Sequence, residues 1–314
     1  MRTVPLIVLA HEGPSVRAYL ARMGRAGLRP RRIVLMVQSR HPVTKKPLGR
    51  WLPHRARLWY AEKVREQAYN HWPRWIRAKH PRLVDAMIRE MQRVCHDPAG
   101  LIAEMLGEFR YERYAANVDR VLVRDLRDGA LAEVLSGLVP GTVLYTGGGI
   151  VPRTVLDIAG LRILHVHPGH LPEVRGADGL LWSTLVRGRP GMSCFYMDAG
   201  IDTGDIILAR DYPPLCFDVP AEHRPDDRTL YRAIFSFCDP LLRAELLVDQ
   251  VLGSPGDLDA LPAVPQGPSE GDTYHFMHPA LRRVVLARLF RQRAPAVETT
   301  SSTNRMCAAP LIPG

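Results

Sequence analysis

Apolar and polar residues alternate in long blocks at the start of the chain. Residues 4–10 form an apolar run that predicts a buried strand, and residues 11–14 predict the turn that follows it. Residues 14–27 carry apolar side chains at helical spacing, and residues 32–37 form a second apolar run. A strand, a helix and a strand at this spacing predict a βαβ unit, which implies a parallel sheet.

The same alternation returns after residue 117. It predicts strands over residues 118–123, 141–146, 161–166, 192–197 and 206–210, and helices over residues 128–138, 151–158, 180–187 and 229–252. The predicted fold class is therefore α/β, with a mostly parallel sheet and flanking helices.

Two regions depart from this rhythm. Residues 39–118 are rich in charged and aromatic side chains, and we predict a mainly helical insertion that is broken near Pro73, Pro81 and Pro98. A stretch rich in Pro and Gly near the other end predicts a linker. The predicted organisation is a main domain over residues 1–252, a linker over residues 253–271, a helical extension over residues 272–294 and a disordered tail over residues 295–314.

Composition narrows the class of protein. The chain has 314 residues, of which 46% are hydrophobic and 24% are charged, as in ordinary globular proteins. No apolar run approaches the roughly 20 residues that a membrane-crossing helix needs, so no membrane partner is predicted. The five cysteines lack the spacing of a metal site, and we expect free thiols in a reducing cytoplasm.

Positive charge is concentrated in one segment. Residues 40–93 contain 14 Lys or Arg against 4 Asp or Glu, while the whole chain has a net charge of +10. Such a segment attracts anionic partners, and the candidates are a phosphorylated substrate, a carrier-protein surface, RNA or a polyglutamate tail. A solvated helical face is the alternative interpretation. Because the aromatic residues of this segment recur at helical spacing, they favour packing over nucleic-acid binding.

Three loops carry candidate chemistry at the carboxyl ends of predicted strands, where ligands of doubly wound sheets bind. His165 and His167 lie at the end of the central strand and face the same side of the sheet. The glycines at 147–149 follow the neighbouring strand and either let a flat ligand approach or form a simple tight turn. His11 follows the first strand, and Asp202 returns from a glycine-flanked turn. An imidazole paired with a carboxylate can take a proton from an attacking nucleophile.

A family signature is present around these residues. It consists of residues 167–172 (His-Pro-Gly-His-Leu-Pro), the pair Arg175-Gly176, and residues 197–207 (Met-Asp-Ala-Gly-Ile-Asp-Thr-Gly-Asp-Ile-Ile). This combination resembles the folate-dependent formyltransferases, which include methionyl-tRNA, glycinamide ribonucleotide and sugar N-formyltransferases. The resemblance is strong over residues 141–210, weaker over residues 1–37 and 118–140, and absent from the insertion.

The resemblance implies a Rossmann-like formyltransferase fold and an enzyme that takes its formyl group from 10-formyltetrahydrofolate without a metal ion. It implies that His167 and Asp202 are the catalytic histidine and aspartate. It assigns Gly149, Ile150, Val151, Asp198 and Ile201 to the pterin pocket, and His11, Glu12 and Arg175 to contacts with the amine substrate.

One catalytic position departs from the family pattern. His165 stands where the family usually has an asparagine, whose amide donates to the formyl oxygen as it becomes an oxyanion. Loss of such a donor typically costs about 2.7–4 kcal/mol in barrier. Because an imidazole can also donate through a ring N–H, we expect His165 to serve as the donor, with a pH dependence that an amide would lack. In this mechanism the amine attacks the formyl carbon, His167 stabilises the tetrahedral intermediate and relays a proton, and Asp202 orients His167 or an intervening water.

Other functions fit parts of the sequence. His165, His167 and His170 have the character of ligands in a metal-dependent hydrolase, an enzyme of this family could hydrolyse 10-formyltetrahydrofolate, and the basic insertion could bind RNA. We favour formyl transfer to a small or carrier-bound amine, such as an amino sugar, a modified amino acid or a hydroxylamine. Transfer RNA is a weaker candidate acceptor, because only a short extension follows the predicted main domain. The sequence predicts no particular oligomeric state.

Overall fold

A computed structural model describes residues 1–253, 258, 261–267 and 269–291, so the predicted tail over residues 295–314 lies outside the described residues. The strands are β1 (Arg2–His11), β2 (Leu28–Gln38), β3 (Val118–Val123), β4 (Gly141–Tyr145), β5 (Leu161–His167), β6 (Val174–Gly176), β7 (Gly191–Tyr196), β8 (Ile206–Asp211) and β9 (Asp272–Tyr274).

Seven of these strands form one sheet in the order β3-β2-β1-β4-β5-β7-β8. The first five strands of this order run parallel to one another. Strand β7 runs antiparallel to β5, and β8 runs antiparallel to β7. Connections between the parallel strands cross over through helices, as parallel pairing requires. The predicted α/β class with a mostly parallel sheet is confirmed.

Helices cover both faces of the sheet. They are α1 (Pro14–Arg25), α2 (His54–Lys79), α3 (Pro81–Met91), α4 (Pro98–Leu106), α5 (Gly129–Ser136), α6 (Arg153–Leu156), α7 (Gly179–Val186), α8 (Asp227–Ala233), α9 (Asp239–Glu245) and α10 (Pro279–Leu289). Two π-helical segments, Ile234–Cys238 and Leu246–Leu252, make the region from α8 to residue 252 one continuous helical stretch, as predicted for residues 229–252.

The sheet separates two hydrophobic clusters, and β1 contributes to both. Leu6 and Val8 belong to the larger cluster, while Ile7 and Leu9 belong to the smaller one. Side chains of a strand alternate between faces, so an uninterrupted apolar run is what a strand buried on both faces needs. The continuous run at residues 4–10 therefore places β1 in the centre of the sheet.

The insertion is helical, as predicted, but its first break is wrong. Pro73 lies inside α2 and does not end it. Proline removes one backbone hydrogen bond from a helix. Both Pro73 and Ile76 are buried against the rest of the protein, and this packing offsets the loss. Pro81 and Pro98 instead occupy the first turns of α3 and α4, where a missing N–H has no consequence.

The described residues after 260 contact the rest of the protein through two strand pairings. β9 pairs in parallel with β6, and Val264 forms a bridge with Ile206 at the start of β8. The sequence did not predict β6 or β9, which are three residues long each. In the part of the chain that the structure describes, no helix is long and apolar enough to cross a membrane.

Candidate active site

A cavity of about 620 Å³ opens where β4 and β5 end, beside the turn between β7 and β8. This volume is typical of small-molecule sites. Eight of the predicted site residues line it, namely Gly149, Ile150, Val151, His165, His167, Asp198, Ile201 and Asp202. Three others, His11, Glu12 and Arg175, are not among the described residues that line it.

His167 is held rigidly at the end of β5. Its Nε2 lies 2.9 Å from the carbonyl oxygen of Val174, and its Nδ1 lies 3.3 Å from Oδ2 of Asp202. A side chain at Gly169 would meet Nε2 at 2.5 Å, and one at Gly179 would meet it at 2.9 Å. Both positions must therefore lack a side chain, and packing as well as hydrogen bonding fixes the ring.

These contacts determine which nitrogen of His167 accepts a proton. A carbonyl oxygen can only accept, so Nε2 carries the hydrogen that it donates to Val174. In the neutral ring the lone pair is then on Nδ1, which faces the carboxylate of Asp202. Burial lowers the pKa of His167, Asp202 opposes this effect, and Arg243 strengthens it. The neutral ring and the carboxylate are therefore arranged to take up one proton between Nδ1 and Oδ2.

Asp202 is fixed in its turn by contacts on both sides. Its φ of 54° lies in the left-handed region, and its Oδ2 accepts from the backbone N–H of Gly176 at 2.9 Å. The amide of Gln266 donates to the carbonyls of Asp202 at 3.0 Å and Gly204 at 2.6 Å. Arg175, which is 5% exposed, donates to Oε1 of Gln266 at 3.1 and 3.0 Å. Arg175 thus supports the turn from behind, which does not fit the substrate contact expected from the sequence.

Asp198 stabilises the same turn from within. Its Oδ1 accepts from the backbone N–H of Gly200 at 2.8 Å and from the hydroxyl of Thr203 at 2.6 Å. A short carboxylate that bonds its own following backbone is a common way to close a turn. Asp198 therefore lines the cavity while it positions the loop that carries Asp202.

His165 also lines the cavity, with a different arrangement of protons. Its Nδ1 donates to the carbonyl oxygen of Tyr145 at 2.8 Å, so in the neutral ring Nε2 has a lone pair and no hydrogen. Burial lowers the pKa of His165 to about 4, and the positive charge of Arg243 adds to this effect. Near pH 7 the ring is neutral and has no second N–H, which argues against the oxyanion-donor role expected from the sequence.

Arg243, on α9, lines the cavity and was not singled out from the sequence. Its Nε donates to Asp239 at 2.8 Å, and its Nη1 donates to the carbonyl of Val166, between the two histidines, at 2.5 Å. Its side chain retains 13% exposure. A guanidinium has five N–H groups, so these contacts leave donors for the cavity. Its sequence surroundings, with Asp239 and Glu245 in the same helix, carry no motif that would have identified this role.

Residues 147–149 form a bare stretch of backbone beside the histidines. Gly149 has a φ of 90°, which other residues rarely adopt, and a side chain there would meet nothing within 4 Å. Val151 is 3% exposed, whereas Ile150 and Ile201, from two different loops, are 69% and 47% exposed. Bare backbone and exposed apolar side chains form a surface that suits a flat aromatic ring.

Glu12 is enclosed by the protein. Its carboxylate accepts from Arg17 at 2.9 Å, from Asn70 at 2.9 Å and from the hydroxyl of Tyr111 at 2.7 Å, and the residue is 5% exposed. A carboxylate with three internal donors is part of the buried structure. This placement does not fit the substrate contact expected for Glu12.

His11 does not line the cavity but contacts a residue that does. Its backbone N–H donates to the hydroxyl of Thr146, a cavity residue, at 2.9 Å. Its Nε2 lies 3.3 Å from Nη2 of Arg65. Burial lowers the pKa of His11 to about 4, and the charge of Arg65 lowers it further. His11 therefore supports the cavity wall as a neutral group.

Residues 273–276 supply a further wall that the sequence did not predict. Asp178 ties this segment to α8, because its carboxylate accepts from the hydroxyl of Tyr231 at 2.7 Å and from the backbone N–H of Met277 at 2.9 Å. Residues far apart in the chain thus close one side of the cavity. Their sequence carries no motif that would have identified this role.

The three histidines expected of a metal-dependent hydrolase do not converge. His170 is not among the described residues that line the cavity. Its Nδ1 lies 3.4 Å from Glu173 and its Nε2 lies 4.0 Å from Asp211. Among the described residues, no cluster of three His, Cys, Asp or Glu side chains could hold a metal ion.

Comparison with known proteins finds similarity over part of the chain. Residues 112–218 match the family model described as formyl transferase. A methionyl-tRNA formyltransferase of Syntrophus aciditrophicus is 42% identical over 91 residues, which cover 28% of this chain and 29% of that protein. One of Solibacter usitatus is 43% identical over 82 residues, which cover 25% and 26%. The resemblance to formyltransferases is confirmed for this part of the chain.

The match spans less than a third of the length of these curated relatives. Among solved structures, a sugar N-formyltransferase from Shewanella is 13% identical, with 91% of this chain and 87% of that chain covered, at a TM-score of 0.45. A likeness at this level assigns no activity.

Proposed function

We propose that this chain, whose residues 112–218 match the family model described as formyl transferase, moves a formyl group from 10-formyltetrahydrofolate to the nitrogen of an amine. The observation that carries this proposal is the distance of 3.3 Å between Nδ1 of His167 and Oδ2 of Asp202, in a cavity that also exposes bare glycine backbone. An amine becomes acidic as it attacks a carbonyl carbon, and a neutral imidazole beside a carboxylate can take that proton.

The direction of the pKa shifts supports this role. Burial lowers the pKa of His167 below its ordinary value of 6.5, so the ring is unprotonated near pH 7. A proton taken up at Nδ1 is then stabilised by Asp202, which is bonded to Gly176 and cannot turn away without losing that bond. The pair can return the same proton to the leaving nitrogen, so that the step is complete without a net change on the enzyme.

Arg243 is the group that would stabilise negative charge on the formyl oxygen. Since His165 has no N–H to offer through Nε2, another donor must do so. The guanidinium of Arg243 is anchored by the carbonyl of Val166, the residue between the two histidines in β5, and lines the same cavity. A fixed charge at a site of developing charge typically contributes several kcal/mol to catalysis, on the order of the 2.7–4 kcal/mol of a single oxyanion donor.

The cavity fits the formyl donor in size and surface. Its volume of about 620 Å³ accommodates a bicyclic ring, and residues 147–149 with Ile150 and Ile201 offer the apolar and backbone surface that such a ring needs. When bound, the donor would supply an activated formyl group. The acceptor would be a small or carrier-bound amine, such as an amino sugar, a modified amino acid or a hydroxylamine.

A screen of amines with 10-formyltetrahydrofolate tests the proposal. Release of tetrahydrofolate that depends on an amine, with the formylated product identified by mass spectrometry, is the expected result. Release without any amine would instead indicate hydrolysis of the donor by water. Stoichiometric zinc in the purified protein, together with turnover that requires this zinc, would contradict the proposal and favour a metal-dependent hydrolase.

A further inference from the structure

A second concave surface lies at the junction between α2 and α3, and we call it the basic groove. It has a volume of about 400 Å³ and is lined on one side by residues 79–83 and on the other by residues 222–225. Its polar side chains are Lys79, His80, Arg82, Glu222, His223 and Arg224. None of the residues that line the basic groove also lines the catalytic cavity.

Two other cations of α2 are paired with carboxylates within the protein. Arg74 pairs with Glu66 at 2.6 Å, and Arg77 pairs with Asp85 at 2.5 Å. By contrast, Lys79 and Arg82 have no carboxylate within ion-pair distance among the residues that the structure describes. Among the described residues that line the basic groove, Glu222 is the one carboxylate.

Arg224 and His223 add to this uncompensated charge. Within the described chain Arg224 donates only to the carbonyl of Val219, at 3.4 Å, and its Nε is buried without a hydrogen-bond partner. A buried N–H without a partner is costly and calls for an acceptor. Nε2 of His223 faces Nη1 of Arg82, and since a guanidinium can only donate, this nitrogen acts as the acceptor. Arg82 is thereby oriented while its other N–H groups stay available.

The backbone reinforces the side chains. α3 has 11 residues and begins at Pro81, and its N-cap residue His80 makes no side-chain capping bond. The first N–H groups of a helix then point outward with a partial positive charge. Lys79, Arg82 and Arg224 carry three positive charges, and Glu222 carries one negative charge. The excess of two charges matches a doubly charged tetrahedral anion better than a carboxylate.

We propose that the basic groove is a binding site for a phosphoryl group, held by Arg82, Arg224 and Lys79. This site gives the basic segment a defined ligand without any role in formyl transfer. The phosphoryl group can belong to inorganic phosphate or to an organic phosphate ester. The two sources share the same contacts and are separated below.

Calorimetric titration of the full chain with inorganic phosphate and with methyl phosphate tests the site. Both anions are expected to bind, and the one that binds more tightly identifies the source. Lys79→Gln and Arg82→Gln change exposed side chains and are expected to weaken binding about tenfold each, as loss of one charge-assisted contact does. Arg77→Gln removes the same charge from a neighbouring position outside the basic groove and is expected to change binding less than about twofold.

Absence of binding to the unmodified chain at millimolar anion, or equal weakening in Arg77→Gln and Arg82→Gln, would overturn the proposal. The location is checked by NMR of the histidine side chains. Phosphate in the basic groove shifts the signals of His80 and His223, whereas phosphate in the catalytic cavity shifts those of His165 and His167. Shifts confined to the cavity would also overturn it. Because binding is measured without a formyl donor, a negative result here leaves the formyltransferase proposal untouched.

Discussion

The catalytic cavity and the basic groove differ in whether their charged groups have bonding partners within the protein. In the cavity, His167, Asp202 and Arg243 each have a bonding partner within the protein that fixes their position. In the basic groove, Arg82 and Lys79 have no carboxylate within ion-pair distance in the described chain. Internal partners give the precise geometry that proton transfer requires. Uncompensated charge instead favours a ligand that supplies the missing partner, so the two sites have the character of a catalytic centre and a binding surface.

The largest effect is expected from the pair that defines the cavity. His167→Ala removes the proton acceptor, and Asp202→Asn removes the charge that stabilises the protonated ring. Each is expected to lower kcat for formyl transfer by about 10²–10⁴, the usual contribution of a general base. The double variant should be no worse than the poorer single one, because the two groups act on one proton. Rates of tetrahydrofolate release measure this, and full activity in His167→Ala would remove its proposed role.

The next effect concerns Arg243, which links charge in the cavity to catalysis. Arg243→Met is expected to lower kcat by about 10²-fold through loss of the oxyanion donor. It should also move the acidic limb of the pH–rate profile to higher pH, because Arg243 lowers the pKa of His167 and its removal raises that pKa. Arg243→Lys keeps the charge and should lose activity with a much smaller displacement of the limb. An unchanged limb in Arg243→Met would show that Arg243 acts only through packing.

Local patterns were enough to predict most of the sheet and the central pair of the site. The strand over residues 118–123 was predicted at its observed bounds, and the period of two in β5 placed His165 and His167 on one face. Asp202 was identified by its signature. These features depend on residues that are close together in the chain, so local sequence patterns are enough to predict them.

What the sequence could not show depends on partners that lie far apart in the chain. From the sequence alone Arg175 and Glu12 were expected to contact the substrate. In the structure Arg175 bonds to Gln266, and Glu12 accepts from Asn70 and Tyr111. The protons of His165 are likewise set by the carbonyl of Tyr145, which belongs to the neighbouring strand. Composition located the positive charge of the insertion, but it could not tell paired arginines from unpaired ones.

A smaller effect is expected from Gln266, which tests whether support of the turn matters for the cavity. Gln266→Ala removes both bonds that hold the carbonyls of Asp202 and Gly204. Small displacements of a catalytic group cost about tenfold to a hundredfold in rate, and we expect kcat to fall within this range while KM changes little. Glu270→Ala is the matched control, since Glu270 bonds only the neighbouring backbone N–H of Gly267 at 2.8 Å in the described chain. Equal losses in both variants would show that the segment acts as a whole.

The smallest effect on activity is expected from His165→Asn, because the neutral ring donates nothing to the cavity. Activity near pH 7 should stay within about fivefold or rise, since an amide can donate where Nε2 cannot. Stability should respond more clearly. Burial lowers the pKa of His165 in the folded chain to about 4, from an ordinary value of 6.5.

Between these two pH values the unfolded chain binds more protons at this position than the folded one, so the free energy of unfolding falls as the pH drops from 6.5 to 4. Asparagine does not titrate, and His165→Asn should therefore lose less stability over this interval. Urea unfolding at pH 7 and pH 5 measures the difference, with His71→Asn on the exposed side of α2 as the control. If both variants show the same loss of stability as the unmodified chain, His165 is not the buried neutral group that the cavity requires.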